Sequence, residues 1–247
     1  MEFSNTTTKI GMVQTAEFIT GLGDGVISGN ATYLKQFTGL FNNAYSRVAS
    51  IILRVDGRMQ WDDPNHTNAP VADANLVSGQ KKYEIFEALP AALQDWLQVE
   101  KVDILSEDDL GLHLSPLDLQ EIGDRGIAES EFRDVDGTPE FFDFDGSELK
   151  LYPAPNYAKT DGLTIFFKRS PSYFVSTDTT KVPGFATLFH ELLPLWASYW
   201  WGVSKGLGNI NTIRGEIAIL EKDLKSFYTR RPKFERLILT PEEDNYK

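Results

Sequence analysis

A stripe of apolar residues that begins after Asn30 is the clearest pattern in the chain. Its members recur at three- and four-residue steps, the spacing of one face of an α-helix. They are Tyr33, Leu34, Phe37, Leu40, Phe41, Ala44, Tyr45, Val48, Ile51 and Ile52. Asn30 suits the N-cap, where its side chain accepts hydrogen bonds from the first free amides. A stripe of this width predicts a long helix that is buried against other helices.

The C-terminal third of the chain shows the helical pattern twice. The segment from Phe185 to Lys205 predicts one apolar helix, which Pro194 is expected to kink or break. The segment from about Asn209 to Tyr228 has a narrower, heptad-like seam, which is typical of a partner in an antiparallel bundle. The seam consists of Ile210, Ile213, Ile217, Leu220, Leu224, Phe227 and Tyr228.

Between these helical segments the pattern changes to short strands. Partial alternation of apolar and polar residues, with Gly, Pro and Asp between the runs, is typical of β-structure. Asp145-Gly146 lies between two runs and suits a hairpin turn. We expect a small antiparallel sandwich or barrel of about six strands. The predicted strands are Lys81 to Phe86, Leu97 to Leu105, Leu110 to Leu117, Glu140 to Phe144, Glu148 to Pro153 and Leu163 to Lys168.

This order of elements predicts an α+β fold in which a helical bundle is built from N- and C-terminal helices. We expect residues 1–58 to hold an N-terminal arm and bundle helices, and residues 59–180 to form an inserted antiparallel β-sandwich or barrel module. Residues 181–231 are predicted to hold the C-terminal bundle helices, and residues 232–247 a tail. The arm, residues 1–11, is expected to be flexible or ordered by a partner.

The composition narrows the possible chemistry. The chain has 247 residues, no cysteine, and three histidines far apart in sequence, His66, His113 and His190. Disulfides, thiolate metal sites and cysteine nucleophiles are therefore excluded, and an all-histidine metal site is not expected. The polar N-terminal segment and the short apolar runs predict a soluble protein made in a cytoplasm.

The net charge of −12 is concentrated in one block. Between Asp103 and Glu148 there are 15 acidic residues and two basic ones, Arg125 and Arg133, a net of −13. The rest of the chain has 21 acidic and 22 basic residues, a net of +1. Such a block repels phosphate backbones, which argues against specific nucleic-acid binding and favours a solvated acidic face.

Two motifs suggest a ligand without completing its site. The sequence GLGDG at residues 21–25 lacks the glycine spacing of a dinucleotide-binding loop, so we interpret it as the end of a short helix from Gly11 to Leu22. The sequence HELLP has Pro194 at the position of the second zinc-protease histidine. We therefore expect His190 to lie at the edge of the core or in an interface.

Two acidic motifs are similarly incomplete. The sequence WDDP at residues 61–64 places paired carboxylates beside an aromatic ring, as in some acid/base sites, but we favour an Asx-type turn. The run from Asp134 to Gly146 resembles a calcium loop, yet Pro139 occupies the position of the EF-hand glycine. We predict no catalytic residue, no cofactor and no metal site.

The stretch from Gly137 to Gly206 has a characteristic order of motifs. An aromatic strand leads through a turn to LYPAP at residues 151–155, and the next strand ends in KRSP at residues 168–171. A helix then begins near His190 and closes at Lys205-Gly206. Together with the WDD loop after the long second helix, this order resembles the head-to-tail connector proteins of tailed bacteriophages, the adaptor or neck-ring proteins beneath the portal.

The resemblance implies a structural function. Members of this family form rings, commonly of twelve subunits, that dock on the portal protein and extend the DNA channel toward the tail. It implies a homo-oligomeric protein of the virion neck, present in the host cytoplasm during assembly, that contacts the portal and the tail or next neck protein. Double-stranded DNA would slide through the lumen without specific binding, which suits an acidic chain. No catalytic residues are transferred, so we expect no enzyme.

The C-terminal tail is the predicted contact with a partner. The resemblance implies this role, because a terminal extension often grips the portal in this family. The tail is also suited to adding a strand to a neighbour's sheet. The predicted contact residues, for the portal or a neighbouring subunit, are Arg230, Arg231, Lys233, Phe234, Arg236, Leu237 and Ile238.

Two alternatives stay open at this point. The Asp-rich block also fits a ligand- or calcium-binding β module on a helical stalk, as in a phage tail or adhesin component. An enzyme that uses Asp62, Asp63 or His190 would require these groups to converge in one pocket.

Overall fold

The computed structural model describes residues 1–55, 63–84, 96–117, 135–146 and 148–229. Within these residues the fold is mixed α+β, with four α-helices and a curled seven-stranded sheet that forms a half-barrel. The helices are α1 (Met12–Thr20), α2 (Ala31–Val55), α3 (Leu192–Lys205) and α4 (Ile210–Thr229). Two single turns of 3-10 helix span Asp63–Asn65 and Thr187–Phe189.

The helices from the two ends of the chain enclose one apolar core. Helix α3 contacts α1, α2 and α4, and α4 also contacts α2. The stripe of α2 faces this core through Phe37, Phe41, Tyr45 and Val48, all fully buried. Helix α4 adds Leu224, also fully buried, so the apolar stripes of the two chain ends are buried against each other.

The start of α2 is capped as the sequence predicts. The Asn30 side-chain oxygen accepts hydrogen bonds from the backbone amides of Thr32 at 2.9 Å and Tyr33 at 3.2 Å. These amides have no partner within the helix, so the cap replaces bonds that water would otherwise supply. The predicted second helix and its N-cap are confirmed.

The predicted helix from Phe185 to Lys205 begins later than expected. The chain first makes the 3-10 turn at Thr187–Phe189, and α3 starts at Leu192. Pro194 is therefore the third residue of α3. A proline costs little there, because an amide in the first turn has no acceptor within the helix. Pro194 therefore lies in the first turn of α3. The interruption of the predicted helix comes before Pro194, between the 3-10 turn and α3.

The sheet is larger than the predicted one. Its strand order is β1-β9-β3-β4-β6-β7-β2, and β5 and β8 form a separate pair. The strands are β1 (Val71–Leu76), β2 (Lys82–Glu84), β3 (Trp96–Leu105), β4 (Gly111–Pro116), β5 (Asp136–Gly137), β6 (Phe141–Asp145), β7 (Glu148–Tyr152), β8 (Ala154–Pro155) and β9 (Lys159–Arg169).

Two features of the sheet differ from the expected antiparallel arrangement. Strands β4 and β6 pair in parallel, with Ser115 opposite Phe141. The connection between them is long enough for a crossover, whereas a tight hairpin would force an antiparallel pair. Strand β1 was not predicted, because its sequence VADANL is rich in residues of low β-propensity.

The β6–β7 hairpin agrees with the prediction. The two strands are antiparallel, with Asp145 opposite Glu148. Gly146 has a φ of 64°, which glycine adopts without steric cost. The strands of the sheet form a second apolar core that includes Val102, Leu149 and Ile165. The proposed segment boundaries at residues 58, 180 and 231 stay predictions.

The N-terminal arm is ordered by its own chain, so the expectation of a flexible or partner-ordered arm is wrong. Phe3 is fully buried, and its ring stacks on Phe174 at 5.1 Å and meets Phe41 edge-on at 5.8 Å. The Phe3 amide donates to the carbonyl of Lys181 at 2.8 Å. The sequence pattern missed this anchor, because a lone aromatic residue has no periodicity.

We expect Phe3→Ala to lower the free energy of unfolding by about 3 kcal/mol, since it empties a closed aromatic site. Urea denaturation of the purified variant measures this change. Thr7→Ala, on an exposed part of the same arm, serves as the control and should stay within about 0.5 kcal/mol of the parent. Equal stability of the Phe3 variant and the parent would contradict the ordered arm.

Candidate functional site

His190 lies inside the helical core and not at its edge. Only 1 % of the residue is exposed. Its Nε2 lies 2.9 Å from the carbonyl oxygen of Phe185, and its Nδ1 lies 2.8 Å from the amino group of Met1. Nε2–H therefore donates to the carbonyl, and Nδ1 accepts from the amino group. Both ring nitrogens are used to join the start of the chain to the start of α3.

Burial lowers the pKa of His190 below its ordinary value, although the hydrogen bond to Phe185 opposes this shift. Burial also lowers the pKa of the Met1 amino group. A low pKa keeps the imidazole neutral near pH 7. An enclosed, neutral and doubly bonded imidazole has a structural role, which argues against the alternative of an enzyme that uses His190.

The lowered pKa of His190 predicts a pH dependence of stability. The unfolded state takes up this proton near pH 6.5, whereas the folded state resists it, so stability decreases as the pH falls below about 6.5. We expect His190→Gln to lose less stability than the parent between pH 7 and pH 5. Urea denaturation at several pH values measures the slopes, and Thr7→Ala, which removes no titratable group, is the control. Identical slopes for the parent and His190→Gln would rule out this role.

Glu17 on α1 holds the Gly-rich loop that follows. Its carboxylate is 2 % exposed and accepts hydrogen bonds from the amides of Gly25 at 3.2 Å, Ile27 at 2.8 Å and Ser28 at 2.8 Å. The Ser28 hydroxyl adds a fourth bond at 3.0 Å. Gly21 caps α1 with a φ of 68°. These loop amides are occupied by a carboxylate that would repel a phosphate, so the interpretation as a helix end is confirmed.

The charged side chains in the described part of the acidic block, between Asp103 and Glu148, are all negative. The described part holds nine acidic residues and no basic one: Asp103, Glu107, Asp108, Asp109, Asp136, Glu140, Asp143, Asp145 and Glu148. Lysines outside the block pair with some of them, as Lys159 does with Asp109 at 2.5 Å and Lys82 with Glu148 at 2.7 Å. Glu107 and Asp108 in the turn between β3 and β4, and Asp143 on β6, are exposed, so part of this negative charge faces solvent.

The hypothesis of a calcium-binding β module finds no cluster of metal ligands in the part of the chain that the structure describes. No group of three His, Asp or Glu side chains there is placed to hold a metal ion. Asp145 is bonded to Lys150, and this hydrogen bond lowers the pKa of the Asp145 carboxyl. Asp134, the first residue of the proposed loop, lies outside the described residues.

A cavity of about 580 Å³ lies between α1, the N-terminal arm and the Gly-rich loop. Phe18 of α1 lines it and is 87 % exposed, a high value for a phenylalanine on a helix. An ion pair between Lys9 and Asp24, 2.7 Å apart, lies among the other lining residues. The cavity thus combines an unburied aromatic ring with a charged pair.

A second cavity of about 470 Å³ lies between the later turns of α2 and strands β3 and β9. Leu97 and Tyr173 line it and are 54 % and 42 % exposed. Arg54 and Lys168 add positive charge, and Lys168 is paired with Glu100 at 2.6 Å. Because it joins a helix to the sheet, its shape depends on how these two parts pack.

The tryptophan-rich face of α3 serves the core. The Trp196 indole N–H donates to Glu221 at 3.2 Å, and the Arg47 guanidinium lies 4.0 Å from the Trp196 ring centre. Trp201 packs on Phe37 at 5.0 Å between ring centres. Across the described ranges, no helix is long and apolar enough to cross a membrane.

Several predicted site residues lie outside the described residues. They include Trp61, Asp62 and the tail residues Arg230, Arg231, Lys233, Phe234, Arg236, Leu237 and Ile238. Asp63 begins the 3-10 turn that follows α2, and Asn65 in the same turn donates to the carbonyl of Val182 at 2.8 Å. This hydrogen bond holds the loop after α2 against the segment that precedes α3.

No protein-family model matches the chain, and no curated protein matches it.

Sequence reasoning missed the features that distinguish the surface. The exposure of Phe18 gave no signal, because the residue continues the apolar character of α1. Glu17 gave a weak sequence signal of its buried role. A single acid among apolar residues at the end of a helix often has a hydrogen-bond partner within the protein. The second cavity arises from contacts between distant segments, so no local pattern in the sequence indicates it.

Proposed function

We propose that the protein is a structural component of a phage virion, a ring-forming adaptor that joins the portal to the tail and extends the DNA channel. In this proposal the helices form a bundle that builds the ring body, and the curled sheet is an inserted β-sandwich or barrel module. The partners are the portal, the tail or next neck protein and further copies of the chain, about twelve in a ring. The proposal includes no enzyme activity.

The main support is the presence of two separate and dissimilar cavities. One cavity, lined by α1 and the Gly-rich loop, exposes Phe18. The other, beside the later turns of α2, exposes Leu97 and Tyr173. A closed ring requires two different patches on each subunit, because each copy contacts its neighbours head to tail. Exposed apolar side chains at two separate places meet that requirement.

The excess of acidic residues in the β-rich segment supports the same function. DNA that moves through a channel is slowed by attraction between its phosphates and basic side chains. The described part of the acidic block carries nine carboxylates without a basic residue. A surface of this sign near the channel favours sliding over binding.

We expect Phe18→Asp and Leu97→Asp each to prevent ring formation while leaving the fold intact, since a charge at either patch opposes burial in a contact. Mass photometry and electron microscopy, with and without portal, measure assembly, and circular dichroism checks the fold. Leu110→Asp, on a turn of the sheet at 62 % exposure, is the control and should assemble normally.

A mixture of the two variants sharpens this test. If the Phe18 patch of one copy contacts the Leu97 patch of the next, a mixture retains one intact contact and forms dimers but no rings. Rings formed by either variant alone, or a parent that stays monomeric with portal present, would count against the adaptor.

The tail provides an independent test of portal docking. We expect a chain that ends at Thr229 to keep its fold and to fail to dock on portal, because all the predicted contact residues from Arg230 to Ile238 are then missing. Co-sedimentation with portal measures docking. The matched control replaces the acidic residues Glu242, Glu243 and Asp244 with Gln, Gln and Asn and should still dock. Normal docking of the shortened chain would remove the tail from the proposal.

A further inference from the structure

A cation without a partner lines the second cavity. Arg54, in the last turn of α2, is exposed, and among the described residues it forms no ion pair. Lys168, the other charged residue of the described lining, is neutralised by Glu100 at 2.6 Å. No acid is among the described residues that line this cavity. The second cavity therefore has an excess of positive charge, although the net charge of the chain is −12.

The first cavity has the opposite excess. Its described lining includes two acids, Glu17 and Asp24, and one base, Lys9. Glu17 is buried and accepts hydrogen bonds from the Gly-rich loop, whereas the Asp24 side chain is 66 % exposed. Lys9 binds the Oδ1 atom of Asp24, and the Oδ2 atom has no hydrogen-bond partner in the described chain. A carboxylate accepts several donors, so Asp24 can bind a second cation beside Lys9.

Each cavity also places apolar surface beside its charged group. In the first cavity Phe18 is largely exposed, and in the second cavity Leu97 and Tyr173 are exposed in the same lining as Leu53. A space of about 150 Å³ accommodates a benzene ring. The second cavity, at about 470 Å³, therefore has room for a phenylalanine ring. Moving such a ring from water into an apolar cavity is favourable.

We propose, building on the ring function above, that the Phe18 ring of one copy enters the second cavity of the next copy, where Arg54 pairs with Asp24 of the first copy. The two cavities share no described lining residue, so one copy can offer both at once. Because each copy supplies one surface of each kind, the contact repeats head to tail, as a closed ring requires. Arg54 and Asp24 then select the correct pair of surfaces, since like charges at a contact exclude wrong pairings.

Reversal of the charges tests the ion pair. Arg54→Asp and Asp24→Arg should each lower the fraction of chains in portal-bound rings at least about tenfold, because each places like charges at the contact. The double variant restores an opposite pair and should recover at least about half of the assembly of the parent. Mass photometry counts the rings, and circular dichroism checks the fold. Arg214→Asp is the matched control and should assemble normally, since Arg214 on α4 is also exposed and forms no ion pair with a described residue.

Cross-linking tests the contact by position, because the chain has no cysteine of its own. Thr15 lines the first cavity and Ser50 the second, so Thr15→Cys and Ser50→Cys leave the proposed contact residues in place. With portal and a short bismaleimide, a mixture of these two variants is expected to form a linked dimer. Thr15→Cys mixed with Ser115→Cys is the matched control, since Ser115 is exposed on β4, and should react at least about tenfold more slowly. Mass spectrometry identifies the linked peptides.

The results separate this contact from the adaptor function. If the parent forms rings and Arg54→Asp also assembles normally, or if Ser50 and Ser115 variants link equally fast, the contact is wrong and the adaptor function stands. A parent that forms no rings with portal would remove both. Efficient linkage of Thr15→Cys chains to one another would assign the first cavity to a two-fold contact and overturn the head-to-tail arrangement.

Discussion

The burial of α3 is the constraint on which the rest of the structure depends. From Leu192 to Ser198 every residue of this helix is buried, so it must be enclosed on nearly all sides. Helices α1 and α2 come from one end of the chain and α4 from the other, and all three contact α3. The hydrophobic gain of covering this helix therefore brings the two chain ends together. The long β-rich segment between them leaves the helical core and returns to it.

The packing of helices around α3 also explains the positions of the polar side chains that connect them. Glu17 holds the loop between α1 and α2, His190 joins the start of the chain to the start of α3, and Glu221 joins α4 to Arg47 and Trp196. Each polar group receives hydrogen bonds inside the protein, as burial requires. These groups stabilise connections between helices. The surface, by contrast, has two cavities with exposed apolar side chains and the exposed carboxylates of the β-rich segment.

Local patterns predicted much of the fold and little of the candidate site. The stripe of α2, its Asn30 cap and the Asp145-Gly146 hairpin follow from interactions over a few residues, which a sequence shows directly. The parallel pair of β4 and β6 does not, because it depends on the path of the chain between them. The ordered arm was missed for a similar reason: Phe3 is held by Phe41 and Phe174, which are distant in sequence.

The sequence by itself determined where the longer helices and most of the longer strands lie, the concentration of negative charge between Asp103 and Glu148, and the exclusion of cysteine chemistry. These depend on composition and short-range periodicity. The tertiary structure alone decided that His190 is enclosed, that Phe18 is left exposed, and that Phe3 packs on Phe41 and Phe174. Burial and proximity are properties of segments that meet in space, and contacts over such separations leave no periodic signal in the chain.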